Sequence, residues 1–384
     1  MSEQSFWKSS LWFDAPTFVS YRQGRFIVVE LKESHHVMST SPRTGGLSTG
    51  MKYLVNHQSC EGADHKERYL EITAMGLEGY HRSVCQELSI NPEAAAVMGT
   101  AANMIYGAHE TSCFEDTRVD AIVTAGVESN ATCAGDPAGW IETPEGWTNL
   151  AQAAGTINTI VVINQPVMPE ALVRTLLTIT EGKTAALTEL GVSSRYSQDL
   201  ATGTGTDQVC IAAPISEGRY AYRSASPHTK LGEMLGLTTR IATRNALRWQ
   251  NGLEPSLTRS VFHALRRFGF SEANFIEAMR PRLSESLMRL IEKNRNAVLY
   301  EPQVAASAYA FAAVWDRVRF GVLPASAARD VLRQQAATIA ASLSAQTESW
   351  HVFWRQLDVT MERPLDAVYD ALALGWTAKW QSKN

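Results

Sequence analysis

The sequence predicts a mixed α/β region over residues 1–250, followed by an all-α helical region over residues 251–384. In the first region, short apolar and β-branched runs alternate with glycine-rich turns and helical stretches. In the second region apolar side chains recur at helical spacing, as at Leu365, Tyr369 and Leu372. A mixed region followed by a purely helical one is typical of two units that each bury their own apolar layers.

The strands of the first region are predicted from apolar, β-branched runs. RFIVVEL at 25–31 predicts a strand, and MKYLVN at 51–56 predicts another after a turn-rich segment. The Ala-rich run at 92–104 favours a short helix or a buried strand with a helix, and VDAIVTAGV at 119–127 favours a strand. Residues 156–164 have almost no polar face, so we expect a fully buried strand there.

A long helix is expected after this buried strand. Pro166 and Pro169 end the strand, and apolar positions then recur at helical spacing as far as Leu187. DQVCIAAP at 207–214 predicts a further strand after the turn ATGTGT. HTKLGEMLGLTTRIATRNAL at 228–247 predicts a helix interrupted by its glycines.

Composition excludes several classes of partner. The formal net charge is −4 and no dense Lys/Arg block is present, so the positive surface that nucleic-acid binding requires is not expected. No basic start followed by an apolar core, and no apolar run of membrane-spanning length, is visible. Five scattered cysteines without a CxxC pair favour free thiols. We therefore expect a cytoplasmic protein that binds neither nucleic acid nor membrane; whether it forms a homo-oligomer stays open.

Short motifs follow one another through the first region. They are TAGVESNA at 124–131, AGDP at 134–137, GTIN at 155–158, TEGKTAAL at 180–187, ATGTGTD at 201–207 and TKLGE at 229–233. Upstream stands the Ser- and Gly-rich segment STSPRTGGLSTGMKYLVN at 39–56. In this order the motifs resemble the adenosylcobinamide amidohydrolase family of corrinoid salvage, over about residues 25–245.

The resemblance implies a reaction and a substrate. The family hydrolyses the amide that joins aminopropanol to the corrin ring side chain, so the product is adenosylcobyric acid and no further cofactor is implied. The chain departs from the family pattern at Thr44 for Asn, at an additional Glu128 and at Gly182 for Ala. Glu128 lengthens a loop, which affects the expected substrate more than the expected fold.

The segment GTINTIVVINQP also resembles the strand that opens the catalytic subunit of the β-aminopeptidase and ornithine acetyltransferase fold, which implies a layered α/β/β/α sandwich. In that fold a Ser or Thr at the place of Thr156 is the nucleophile, and its freed α-amine is the base. Strand alternation places Asn158 on the same face as Thr156, as an oxyanion or substrate donor. The alternative is that Thr156 caps a strand and Asn158 satisfies a turn. Cleavage before Thr156 stays open.

The turn ATGTGTD offers further candidates. Thr204, Thr206 and Asp207 are expected to line the pocket, with Thr206 and Asp207 polarising the substrate amide. The turn lacks the GK[ST] ending of a phosphate-binding loop. The alternative is a glycine turn that Asp207 caps.

Four more polar residues are candidate substrate contacts. Lys183 and Lys230 lie in family motifs and could bind a corrin side-chain amide or lower the pKa of the nucleophile's base. The alternative, which is the usual explanation for such a lysine, is a solvated helix charge. Asn130 and Asp136 flank the loop SNATCAGDP and could contact substrate or only form turns. Cys133 in the same loop is a second candidate nucleophile, without a histidine nearby in sequence.

Two further features concern a metal site and the walls of the substrate groove. His57, Cys60 and His65 have a zinc-like spacing, but a fourth ligand is not evident, so we expect no metal site. A corrinoid requires a wide groove with aromatic walls, for which Trp140, Trp147 and tryptophans of the helical region are candidates. The alternatives to a corrinoid amidohydrolase are a corrinoid-binding protein without turnover and an amidase or acyltransferase that acts on another amide.

Overall fold

The apolar strands expected from the sequence form two stacked sheets. The computed structural model describes residues 6–60, 65–144, 146–149 and 155–381, without the side chains of residues 65, 66, 69 and 146–149. The chain divides into two compact units, Met1–Gly252 and Leu253–Asn384. The first unit is mixed α/β and the second is helical, which confirms the mixed α/β region and the helical region predicted from the sequence.

The elements of the first unit follow one another in mixed order. The described strands are β1 (Leu11–Asp14), β2 (Phe18–Gln23), β3 (Phe26–Leu31), β4 (His35–Ser39), β5 (Gly46–Ser48), β6 (Tyr53–Gln58), β7 (Ala95–Thr100), β8 (Ala108–Phe114), β9 (Thr117–Ala125), β10 (Ala131–Thr132), β11 (Trp140–Thr143), β12 (Gly146–Asn149), β13 (Ile157–Ile163), β14 (Gly203–Thr204) and β15 (Gln208–Pro214). The described helices are α1 (His65–Glu87), α2 (Pro169–Glu189) and α3 (Lys230–Asn251).

Two large sheets organise these strands. One has the order β1-β2-β3-β6-β7, and the other has the order β5-β4-β15-β13-β9-β8. Neighbours are antiparallel except for the parallel pairs β6–β7 and β13–β15. The strand β13 lies between β15 and β9, with Asn158 opposite Gln208 on one side and opposite Thr124 on the other.

Alternation of side chains along the strands builds the layers. Ile27 and Leu54 of the first sheet pack against Ile160 of the second in one buried cluster. Val28 points to the opposite face and packs with Leu88, which follows α1. Helices α2 and α3 contact the second sheet through strands β4, β8, β9, β13 and β15. The unit is therefore layered as helix, sheet, sheet and helix pair.

The structure decides between two alternatives at one place and corrects a prediction at another. Of the alternatives given for residues 92–104, the buried strand with a helix is confirmed: a short 3-10 helix (Pro92–Ala94) precedes the buried strand β7, because apolar burial between β6 and the helix layer favours a strand there. The helix α3 runs without interruption through its glycines. A Cβ at Gly182 of α2 would lie 2.6 Å from the carbonyl oxygen of Gly236 in α3, so glycine here permits close packing of two helices instead of breaking one.

The second unit consists of helices packed around one apolar core. Its described helices are α4 (Pro255–Thr258), α5 (Val261–Leu265), α6 (Glu272–Met279), α7 (Glu285–Lys293), α8 (Asn296–Leu299), α9 (Pro302–Arg319), α10 (Ala325–Ser344), α11 (Trp350–Gln356) and α12 (Leu365–Gln381). Phe275, Phe311 and Trp376 are almost fully buried in that core. A largely buried ion pair joins Arg267 to Asp316 with two short hydrogen bonds. Across the described residues of both units, no helix has the length and hydropathy needed to span a bilayer.

Candidate active site

The segment that leads into β13 carries the residue expected as nucleophile. Thr156 directly precedes β13 and is only 4% exposed. Its Oγ1 donates a hydrogen bond to the backbone oxygen of Thr206 at 2.7 Å and lies 3.4 Å from Oδ1 of Asn158. The hydroxyl is therefore fixed in one direction and largely shielded from solvent.

The carbonyl oxygen of Gly155, one bond before Thr156, accepts two side-chain hydrogen bonds. Asn130 Nδ2 donates at 2.8 Å and Thr206 Oγ1 donates at 2.9 Å. Gly155 has φ +131°, and a Cβ at this position would lie 2.8 Å from the carbonyl oxygen of Gly126. Only glycine fits this backbone geometry without strain. The peptide bond before Thr156 is thus held between two donors in a constrained conformation.

Tyr196 fixes the orientation of the Asn130 amide. Its hydroxyl donates to Asn130 Oδ1 at 3.1 Å, which leaves Nδ2 to face Gly155. Tyr196 could not be found from the sequence, because it lies 66 residues from Asn130 and stands in no motif.

Asp207 ties the ATGTGTD turn to the start of β13. Its Oδ1 accepts hydrogen bonds from Thr204 Oγ1 at 2.6 Å and from the amide of Ile157 at 3.0 Å. Its Oδ2 accepts from the amide of Thr204 at 3.1 Å and pairs with Lys183 Nζ. A Cβ at Gly203 would collide with both charged groups, so glycine permits their approach. Asp207 and Lys183 therefore hold the turn and the strand in register.

Asn158 belongs to a polar row buried between the two sheets. Its Nδ2 donates to Asn56 Oδ1 at 2.8 Å and to the carbonyl oxygen of Gly99 at 3.1 Å. Asn56 in turn donates to Thr124 Oγ1 at 2.7 Å. Asn158 is fully buried, its Nδ2 donates to two acceptors and its Oδ1 faces the Thr156 hydroxyl, so it positions Thr156 from within the sheets. Asn56 was not singled out from the sequence, since its partner Asn158 lies 102 residues away.

A pocket of about 370 Å³ opens on the other side of Asn130 and Thr206. Its aromatic walls include Tyr196 and Trp140, whereas the side chain of Trp147 lies outside the described residues. Thr156 does not line this pocket. Asn130 and Thr206 lie between Thr156 and the pocket. Glu128 is exposed in the loop before Asn130.

Asp136 and Cys133 also line the pocket, in the loop after β10. Asp136 Oδ2 accepts hydrogen bonds from Ser194 Oγ at 2.5 Å and from the amide of Cys133 at 2.7 Å. Burial acts to raise the pKa of Asp136, but the hydrogen bonds from Ser194 and its neighbours outweigh it and lower the pKa. Burial, together with the charges of Asp136 and Asp199, raises the pKa of Cys133, which disfavours a thiolate nucleophile.

Lys230 is not brought to this cluster. It begins α3 beside Phe114, at the end of the β8–β9 hairpin, and its Nζ pairs with Glu233 at 2.6 Å. The strand β9 runs from that hairpin toward Gly126, so Lys230 and Thr156 lie at opposite ends of the strand. The helix start at Thr229 explains the TKLGE motif locally, since the Thr229 side chain caps the helix.

In the fold, His57 of the zinc-like spacing contacts aromatic side chains. His57 Nδ1 lies 2.8 Å from the hydroxyl of Tyr80, and its ring stacks on Phe26. The side chain of His65 lies outside the described residues. Among the residues whose placement is described, no three His, Cys, Asp or Glu side chains are grouped as metal ligands.

Comparison with known proteins shows the family of this chain and gives further proteins that it resembles. The family model described as adenosylcobinamide amidohydrolase matches residues 14–255. An uncharacterized protein of Methanocaldococcus jannaschii, MJ1613, is 31% identical over 231 residues, which cover 58% of this chain and 85% of that protein. The crystal structure of the PH0078 protein from Pyrococcus horikoshii covers 59% of this chain and 78% of its own, at 12% identity and a TM-score of 0.27, which is too low to support a conclusion. The matched segment spans the two stacked sheets, the helix pair and the cluster around Thr156, and the chain therefore belongs to the adenosylcobinamide amidohydrolase family.

Proposed function

We propose that this protein hydrolyses the amide between aminopropanol and the corrin ring side chain of adenosylcobinamide, giving adenosylcobyric acid. Membership of the family supports the substrate and the bond. The observation that carries the chemistry is the convergence of Asn130 Nδ2 and Thr206 Oγ1 on one carbonyl oxygen, next to the hydroxyl of Thr156. Amide hydrolysis by a hydroxyl nucleophile is accelerated by donors that stabilise the oxyanion.

The two donors have the geometry that an oxyanion hole needs. Their distances of 2.8 and 2.9 Å to the Gly155 oxygen lie in the range of about 2.7–3.1 Å expected for oxyanion donors. In the intact chain the Gly155 carbonyl occupies the position that a substrate carbonyl would need. The site therefore requires the Gly155 carbonyl to leave before substrate binds.

We propose that Thr156 itself cuts the bond that blocks the site. Its Oγ attacks the carbonyl carbon of Gly155, the C–N bond breaks, and the α-amine of Thr156 takes the hydroxyl proton. Water then hydrolyses the resulting ester, which leaves a carboxylate at Gly155 and a free hydroxyl and α-amine on Thr156. The constrained φ of Gly155 and its two donors favour this attack because they polarise the carbonyl and hold it in place.

In the cut chain, the same atoms would act on the substrate amide. The α-amine removes the proton of the Thr156 hydroxyl, Oγ attacks the substrate carbonyl, and Asn130 and Thr206 stabilise the oxyanion. Aminopropanol leaves as an amine after receiving that proton, and water hydrolyses the ester on Thr156 to the corrinoid carboxylate. Asp207 and Lys183 keep Thr204, Thr206 and the start of β13 in register during both steps.

The pocket beside these donors suits the reacting side chain of a corrinoid. A volume of about 370 Å³ can take the amide arm, with the corrin ring at the mouth against Tyr196 and Trp140. The layered order of helices and sheets supports a further part of the proposal, that the unit shares the β-aminopeptidase and ornithine acetyltransferase fold.

Mass spectrometry of the products from adenosylcobinamide tests the proposed reaction. The wild-type protein should release aminopropanol and adenosylcobyric acid, and Thr156→Ala should release neither while remaining folded. Thr159→Ala removes a buried hydroxyl three residues further along the chain, within β13, and should keep turnover. Unchanged turnover by Thr156→Ala would remove Thr156 from the mechanism, and an inactive wild-type protein would contradict the function.

A further inference from the structure

A second concavity lies at the edge of the two sheets, away from the cluster around Thr156. Its volume is about 600 Å³, and its walls include Trp12, Phe13, Tyr106 and Trp249. Tyr106 and Trp249 are 42% and 51% exposed, so their rings are accessible to a ligand. We call this concavity the aromatic groove.

A histidine held by a buried carboxylate lines the aromatic groove. His109 Nε2 lies 2.9 Å from Oδ1 of Asp120, whose carboxylate also accepts hydrogen bonds from Arg118 and Thr111. Because Asp120 accepts the Nε2 proton, the lone pair of a neutral His109 resides on Nδ1. Nδ1 has no hydrogen-bond partner in the described part of the chain, so it is available to accept a hydrogen bond from a ligand.

The cation of the aromatic groove is Arg22. Its guanidinium lies 4.5 Å from the ring centre of Trp12, and its Nη1 donates to the carbonyl oxygens of Ile105 and Gly107. Within the described residues, no carboxylate pairs with Arg22, whereas Arg118 nearby is neutralised by Asp120. The positive charge of Arg22 is therefore uncompensated, and its remaining donors suit an anionic group.

We propose that the aromatic groove binds a planar heteroaromatic ligand that carries an anionic group, as a purine nucleoside monophosphate does. The ring would stack on the aromatic walls, a ring or exocyclic N–H would donate to His109 Nδ1, and the anion would pair with Arg22. His109 is recessed, with a side chain only 12% exposed, so the thin edge of a planar ring reaches it and a bulky group does not. The volume lies within the usual range for small-ligand sites.

Isothermal titration calorimetry of the full chain with AMP, adenosine and inorganic phosphate tests this site. AMP should bind with one site per chain, adenosine should bind at least about tenfold more weakly, and phosphate alone should not bind detectably. Arg22→Gln should weaken AMP about tenfold or more and leave adenosine unchanged, whereas His109→Ala should weaken both ligands. Arg174→Gln, an exposed arginine on α2, is the matched control and should change neither.

Circular dichroism of each variant separates loss of the site from loss of the fold. If Arg22→Gln unfolds, Arg22→Lys takes its place, because it keeps the charge but not the guanidinium. The absence of saturable AMP binding to the folded wild-type protein would overturn the proposal. So would AMP binding that Arg22→Gln and His109→Ala leave unchanged, or equal affinities for AMP and adenosine. Because neither residue touches the cluster around Thr156, corrinoid hydrolysis should persist in both variants, and its loss would bear on the proposed function separately.

Discussion

Asn130 and Gly155 lie 25 residues apart in the chain, and the side-chain amide of Asn130 donates a 2.8 Å hydrogen bond to the Gly155 carbonyl oxygen. That oxygen belongs to the peptide bond directly before Thr156. The contact brings the side-chain amide of Asn130 and the constrained Gly155 carbonyl together beside the Thr156 hydroxyl. It is the geometric basis of the proposed amide hydrolysis.

Asn130→Asp replaces the donor with an acceptor of nearly the same shape. We expect cleavage before Thr156 and kcat for adenosylcobinamide each to fall by about 10²–10³, because one oxyanion donor is lost. Tyr196→Phe keeps the Asn130 amide but removes the hydrogen bond that fixes its orientation, so it should show a smaller loss of kcat. Steady-state kinetics with both variants would measure this order, and an unchanged kcat in Asn130→Asp would exclude Asn130 as a donor.

Gly155→Ala tests the constrained carbonyl. The added Cβ would meet the carbonyl oxygen of Gly126 at 2.8 Å in a backbone conformation that alanine disfavours, so the free energy of unfolding should fall by about 1–3 kcal/mol. Gly218→Ala is the matched control, since Gly218 also has positive φ but open space around its Cβ position. Both changes are made in the Thr156→Ala background, which should stay uncut, because cleavage would turn Gly155 into a chain end. Urea unfolding should show a larger loss for Gly155→Ala, and equal losses would contradict a destabilising contact with Gly126.

Asp207→Asn breaks the pair with Lys183. Both side chains are mostly buried, so an unpaired Lys183 should lower the free energy of unfolding by about 3 kcal/mol or more. Lys183→Met combined with Asp207→Asn should cost less than the sum of the two single changes, because the uncompensated charge is removed. A double-mutant cycle by urea unfolding measures the coupling, and strictly additive losses would contradict it.

His57 should make the fold sensitive to acid. Burial, with smaller contributions from Arg25 and Arg68, lowers the pKa of His57 to about 3, against about 6.5 in the unfolded chain. Between pH 3 and 6.5 the unfolded chain binds more protons than the folded chain, so acid favours unfolding. The contribution of His57 to the free energy of unfolding is therefore present above pH 6.5 and falls by at most about 1.4 kcal/mol per pH unit as the pH drops toward 3. His35 and His81 have pKa values lowered by burial as well and add to the slope.

Unfolding by urea at several pH values between 3 and 7 measures the contribution of His57. His57→Phe, made together with Tyr80→Phe so that the Tyr80 hydroxyl is not left unpaired, should flatten the dependence on pH. The single variant Tyr80→Phe keeps the histidine and serves as the control. An identical pH slope with and without His57 would contradict its low pKa.

Much of the fold and part of the site could be predicted from the sequence, because the determining signals are local. The absence of a polar face predicted the buried strand β13. The glycine turns predicted that hydroxyl and carboxylate side chains lie at the ends of strands. The structure brings Thr156, Thr204, Thr206 and Asp207 together, and the loop residue Asn130 joins them.

The remaining features depend on contacts between distant segments. Tyr196 and Asn56 acquire their roles from partners 66 and 102 residues away, and no spacing in the sequence records such pairs. The continuity of α3 is decided by its packing against Gly182, which overrides the low helix propensity of glycine. Lys230 stands in a motif, but the direction of β9 carries it to the far end of the sheet.

Intact-mass spectrometry of the purified protein, before and during turnover of adenosylcobinamide, tests the central claim most directly. We expect two fragments separated between Gly155 and Thr156, with the later fragment carrying a corrinoid acyl group during turnover. A fully active chain that remains one uncut piece of 384 residues, with no adduct at any time, would contradict the account.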